Sequence, residues 1–162
     1  MVLLGANAQR RGERMAFEQG PYVKAAFFCD LMIRGDDGVL TPVRMVDRLT
    51  QRAVGQDPPD DMPPLTWNGT LHVALTAGRA QGRAQVRISI EKPSGERSEL
   101  ARQDVQFGSD HTAVGIVAPS KITFGSEGVY WFHVLVDSKE ITRMPLEVVY
   151  ERTIGATPGP QR

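Results

Sequence analysis

Val129-Tyr-Trp-Phe-His-Val-Leu-Val-Asp137 is the stretch that decides the fold. Tyr130, Phe132, Val134 and Val136 fall on one side of an extended chain and Trp131, His133 and Leu135 on the other, because successive side chains of a strand point to opposite faces. Both sides are largely apolar. That is the mark of a central strand covered on both faces, or of one whose outer face meets a partner. Trp131, His133 and Leu135 are therefore the candidate interaction face. Asp137-Ser-Lys-Glu140 supplies a turn, and Ile141 to Tyr150 closes a hairpin with Leu146, Val148 and Tyr150 facing one way and Pro145 at a strand start or bulge.

The same period of two recurs toward the N-terminus. Phe27, Cys29, Leu31 and Ile33 share one face of an extended segment, Phe28, Asp30 and Met32 the other. Arg34-Gly-Asp-Asp-Gly38 is a turn, and Val39 to Leu49 reads as the returning arm, an edge strand or a bulged one because Pro42 cannot donate to a ladder. Residues 51–64, with Pro58-Pro59 and Pro63-Pro64 among acids, read as a connecting loop. Leu71, Val73 and Leu75 alternate with His72, Ala74 and Thr76, and after the loop from Gly78 to Gly82, Val86, Ile88 and Ile90 alternate with Arg87, Ser89 and Glu91. Pro93 to Glu96 forms a turn into a segment ending at Val105 and Phe107. Val114 and Ile116, then Ile122 and Phe124, read as two short runs separated at Pro119.

No amphipathic helical stripe occurs between 21 and 150. The expected fold is all-β, an antiparallel Ig-like β-sandwich of about 7–9 strands, with a closed β-barrel as the alternative. Residues 1–20 read as a flexible arm, 21–150 as the β-sandwich domain, and 151–162 as a disordered tail with nothing to bury. At 162 residues and 41% hydrophobic composition, the chain can bury a core without a metal or disulfide staple.

Nineteen basic residues, fifteen of them Arg, balance nineteen acidic ones, so no global field steers the chain to nucleic acid or an anionic membrane. Arg79, Arg83, Arg87, Arg97 and Arg102 cluster without interleaved aromatics and read as a solvated strand face. The single cysteine, Cys29, cannot close an internal disulfide and reads as a small buried hydrophobe. His72, His111 and His133 lack ligand spacing, and the aspartates at 30, 36, 37, 47, 57, 60 and 61 fit no calcium loop. No nucleophile elbow or phosphate-binding loop is present. No catalytic residue, cofactor or metal is assigned. The N-terminus lacks the basic start and long apolar run of a signal peptide, and no segment is apolar enough to span a bilayer, which places the chain in the cytoplasm. Asn68-Gly-Thr70 and Arg34-Gly-Asp36 match glycosylation and adhesion tripeptides that recur by chance.

Ala26 to Arg34 with Gly38 to Leu49, and Gly128 to Asp137 with Met144 to Val149, together resemble a group of small uncharacterised bacterial proteins with Ig-like sandwiches. That resemblance implies the fold and carries no activity. The expected function is a non-enzymatic binding or structural module that engages a protein or a second copy of itself. A small-ligand module for glycan or lipid, with Trp67 and residues 51–64 as a rim, is the alternative. An enzyme with dispersed residues is the third reading.

Overall fold

The computed structural model describes residues 20–108 and 113–155. The arm expected before Gly20, His111, and residues 156–162 lie outside them. Nine strands account for most of the described chain: β1 (Tyr22–Arg34), β2 (Leu40–Val46), β3 (Arg48–Gly55), β4 (Leu65–Thr76), β5 (Gly82–Glu91), β6 (Arg97–Phe107), β7 (Ala113–Phe124), β8 (Gly128–Val136) and β9 (Lys139–Ile154). They form two sheets, one in the order β2-β1-β4-β7 and one in the order β3-β9-β8-β5-β6. The barrel alternative does not occur, since the two sheets stay separate.

The sheets are held face to face by the side chains the alternation sends inward. Phe28 on β1 meets Phe132 on β8 edge to face at 4.7 Å between ring centroids, and Phe124 on β7 meets Tyr130 on β8 at 4.8 Å. Leu71, Val73 and Leu75 from one sheet and Val86, Ile88, Val134, Leu146 and Val148 from the other complete a continuous apolar core. The Tyr130 hydroxyl donates to the Ser126 carbonyl at 2.9 Å, so the buried ring keeps a partner for its polar end.

Four details depart from the sequence reading, each for a physical reason. First, residues 39–49 are two strands. β2 belongs to one sheet and β3 to the other, and the chain crosses between them at Asp47, whose carbonyl accepts from the Glu147 amide at 3.0 Å. Second, β3 takes in residues 51–55, so the connecting loop begins only at Gln56. Leu49, Gln51 and Ala53 are half-buried along it, and the strand runs parallel to β9, the one parallel pairing described, with Arg48–Glu147 at 2.6 Å and Arg52–Glu151 at 2.8 Å across the ladder. Third, that pairing carries β9 to Ile154, four residues past the expected domain end, because Gln51 to Gly55 supply a neighbour for Tyr150 to Ile154. Fourth, Pro119 does not split β7. The strand lies at the sheet's edge, paired on one side to β4 along its whole length, so the missing donor can face away from the ladder.

Pro42 likewise sits in β2, an edge strand, opposite Met32. Two residues on, Arg44 adopts φ 49°, rare for a side chain of its size, and is held there by a two-pronged pair to Asp30 at 2.5 and 3.1 Å.

Candidate interaction surfaces

The outer face of the β3-β9-β8-β5-β6 sheet carries the three residues singled out on β8. His133 is 2% exposed. Its Nδ1 lies 2.8 Å from Glu140 Oε2 and its Nε2 3.2 Å from Glu91 Oε2. Each contact needs a ring N–H, so the doubly protonated ring serves both and a neutral ring only one. Glu91 is also paired with Arg97, which holds its carboxyl below the usual range, with a smaller contribution from His133. The Arg143 guanidinium covers the Trp131 ring at 4.5 Å from its centroid. Trp131 and Leu135 are half-buried, and Arg102 pairs with Glu99 at 2.7 Å farther along the face. The structure thus brings Trp131, His133 and Leu135 together and roofs them with paired charges from β5, β6 and β9. The signal for that roof is in the sequence only as scattered acids and arginines, since the strands that supply it are distant in the chain.

The outer face of the opposite sheet differs. Phe28 points into the core, so Phe27, Cys29, Leu31 and Ile33 point out, with Met45 opposite Cys29 and Val43 opposite Leu31 on β2. Leu31 is 54% exposed, Ile33 48%, Val43 39% and Met45 64%. Four such side chains amount to roughly 300–400 Å² of apolar surface, the size at which the largest patch on a monomer is often functional. Nearer the middle of the same face, Cys29 is fully buried and burial pushes its thiol pKa up, which keeps it in the unreactive protonated form.

His72 neighbours Phe27 on that face at 5.1 Å between rings and is 6% exposed. Burial pushes its pKa below the ordinary 6.5, with a contact to the Ile116 backbone acting the other way. Between 6.5 and the lowered folded value the unfolded chain binds more protons, so His72 contributes stability that is complete above that window and lost as the pH falls through it. Chemical unfolding at about pH 7, 6 and 5 should show a decline, bounded at about 1.4 kcal/mol per pH unit for one group, that is shallower in His72→Leu. Parallel declines in the two proteins would remove His72 as the cause.

Trp67 is 6% exposed and packs edge to face on Phe28 at 6.1 Å, inside the core and not on a rim. The Gln56–Pro64 loop is tied down by Tyr150, whose hydroxyl donates to the Pro59 carbonyl at 2.8 Å, and by Arg152, which contacts Pro58 and Asp60. Asn68 lies within β4 and Arg34 to Asp36 at the β1–β2 turn. Of the clustered arginines, Arg87 donates to the Asp137 carbonyl at 2.8 Å, and Arg97 and Arg102 are paired with acids as above. Among the described residues, no group of three His, Cys, Asp or Glu is arranged to hold a metal ion, and no helix is long and apolar enough to cross a membrane.

Residues 24–149 match the model of a family of unknown function (DUF6941). No curated protein matches the chain. Among solved structures, the chain is similar to Pseudomonas fluorescens alkylpurine DNA glycosylase AlkC bound to DNA containing an abasic site analog, at 14% identity and a TM-score of 0.40, over 60% of this chain. The chain spans only 27% of that protein's length.

Proposed function

The chain belongs to a family of unknown function (DUF6941), and we propose that it is a non-catalytic protein-interaction module of the bacterial cytoplasm, Ig-like in design, which self-associates. The observation that carries this is the exposed apolar quartet Leu31, Ile33, Val43 and Met45 on one face of one hairpin. It is uncharged, and so compatible with a second copy of itself across a two-fold axis. A stable dimer buries about 800 Å² per partner, so the quartet forms the dry centre and the surrounding sheet face the rim. Edge-to-edge growth is disfavoured, because Pro42 and the left-handed Arg44 interrupt the outer edge of β2. Trp131, with Leu135, forms a smaller secondary contact strip, reached only where Arg143 swings aside.

Light scattering across protein concentration tests this. Dimerisation is expected, with Leu31→Glu and Met45→Glu each weakening it at least tenfold while stability changes by less than about 0.5 kcal/mol, as for other surface substitutions. A chain that stays monomeric up to about 1 mM, with both variants indistinguishable from it, would exclude self-association through this face.

A further inference from the structure

Four strands end the two sheets, β2 and β7 in one and β3 and β6 in the other. An edge strand exposes unpaired backbone groups, and folded proteins blunt such edges with proline, bulges or irregular backbone. Three of the four are blunted here. β2 carries Pro42 and the left-handed Arg44, and β7 carries Pro119. β6 is bulged at Leu100, which has no partner between Ala101, opposite Ile88, and Glu99, opposite Ser89. β3 has none of these devices. It pairs with β9 without a register shift from Arg48 to Gly55, and it contains neither a proline nor a residue of positive φ.

The parallel ladder fixes which backbone groups of β3 face outward. At one end the Glu147 amide donates to the Asp47 carbonyl at 3.0 Å, and at the other the Gly155 amide donates to the Gly55 carbonyl at 2.9 Å. Odd-numbered residues therefore turn their N–H and C=O groups to β9, and the alternate ones, Arg48, Thr50, Arg52 and Val54, turn theirs away from it. Among the described residues, no strand lies on that side. The open row runs roughly 20 Å. A cleft of about 490 Å³ lies along its first half, between Arg44 to Val46 at the end of β2 and Arg48 to Arg52.

We infer that the free edge of β3 takes an extended acidic segment of another protein as an added strand, with carboxylates four residues apart. β9 shows which sequence this strand accepts as a neighbour. Glu147 and Glu151 lie opposite Arg48 and Arg52 and pair with their Nε groups at 2.6 and 2.8 Å, while Val148 and Tyr150 between them turn inward beside Leu49 and Gln51. A strand on the open side meets the same two exposed guanidiniums and the same half-buried Leu49. Each guanidinium has five N–H donors and gives β9 its Nε alone, so its Nη groups are available to a second carboxylate. Arg44, paired with Asp30, brings a third guanidinium to the head of the cleft. A basic segment is repelled here, and a second copy of β3 sets arginine against arginine, directly or on the diagonal. The main-chain bonds supply affinity and the acids select the partner. The inference shares with the proposed function the reading of the chain as a protein-binding module, but it uses a different surface, so hairpin variants and β3 variants fail independently.

Fluorescence polarisation on the full chain tests it, with a labelled, end-blocked octapeptide Thr-Glu-Val-Thr-Val-Glu-Val-Thr as probe. Saturable binding is expected, at least tenfold tighter than that of the same peptide with glutamine in place of both glutamates. Thr50→Pro deletes one outward donor and leaves the β9 ladder intact, so it should weaken binding at least tenfold. Thr50→Ala, which keeps the donor, should change affinity less than about threefold. In the double variant Arg48→Gln with Arg52→Gln, the preference for the glutamate peptide should fall below about threefold. If Thr50→Pro fails to fold, two isomers of the probe, N-methylated on the valine amides or on the others, decide: one should bind at least tenfold more weakly than the other, because only alternate amides face β3. No saturable binding up to about 1 mM, equal binding of the glutamine peptide, or equal binding of the methylated isomers overturns the proposal. So does a dimer that Thr50→Pro dissociates, since that assigns the edge to a second copy.

Discussion

Phe132→Ala is expected to lower the unfolding free energy by about 3–5 kcal/mol, the range for deleting a fully buried aromatic ring. The ring is inaccessible to solvent, stands in the middle of β8, and bridges the two sheets through its contact with Phe28. Removing it forfeits the ring's burial and its edge-to-face contact, and it leaves a cavity between two sheets whose backbones are locked by ladders on both sides of β8, so the hole cannot collapse. Against a typical total of 5–15 kcal/mol, the loss takes a large share. The midpoint of thermal unfolding should fall by about 10–20 °C at the sensitivity of a domain this size. Val129→Ala, on the same strand but 40% exposed, should change stability by less than about 0.5 kcal/mol. Equal losses in the two variants would mean that the sheets are not joined through the inward face of β8, and the sandwich described above would be wrong.

That inward face was legible from residue order alone, and so was the pairing of β8 with β9, because two apolar stripes of period two joined by Asp137 to Glu140 leave few other arrangements. The same holds for Phe124, but not for Phe28, which shares its side of the strand with Asp30 and Met32 and yet points into the core. What period two does not encode is the sheet to which a strand belongs. Residues 39–49 read as one extended arm and 51–64 as a loop, and only the tertiary structure ends β2 before Asp47, sends it to one sheet and sends β3 to the other. The parallel pairing of β3 with β9 joins residues 99 apart in the chain, and neither strand carries a local mark of it. Pro119 misleads for a related reason. A proline breaks a ladder only when its nitrogen faces a partner, and whether β7 lies at an edge is a property of the whole sheet.

The candidate surfaces show the same division. Trp131, His133 and Leu135 can be read as one face, but its cover comes from Glu91, Glu140 and Arg143, which long-range pairing brings across it. Leu31 and Ile33 can be read as sharing a face with Phe27 and Cys29, yet that face is an outer one because Phe28 points inward, which the alternation alone does not decide. Cys29 is buried as expected, although it lies on the outer side of its sheet.

Gly69→Ala should cost about 2–4 kcal/mol, more than a methyl group normally would, because a Cβ at this position would lie 2.0 Å from Cζ2 of the Trp67 indole. Gly69 has no unusual φ, so the requirement is one of space and not of backbone conformation. The indole folds back over its own strand two residues on, and it can do so only where that residue presents no side chain. Phe28 packs edge to face against the same ring, which limits its retreat. Either the ring leaves its buried seat or β4 shifts against β1 and β7, both of which pair with it here. In a Trp131→Phe background, where Trp67 is the remaining tryptophan, its emission should move to longer wavelength as the ring meets water. Trp67→Leu should be destabilising alone, yet the double variant Trp67→Leu with Gly69→Ala should be more stable than the sum of the two losses by at least about 1 kcal/mol, because the smaller side chain vacates the space the methyl needs. Gly115→Ala on β7 gives the contrast: its added methyl would sit at an ordinary 3.8 Å from His72 Cε1, so the strand should gain up to about 1 kcal/mol from the reduced chain entropy of alanine. Additive losses at 67 and 69 would show that the indole does not occupy the space above Gly69.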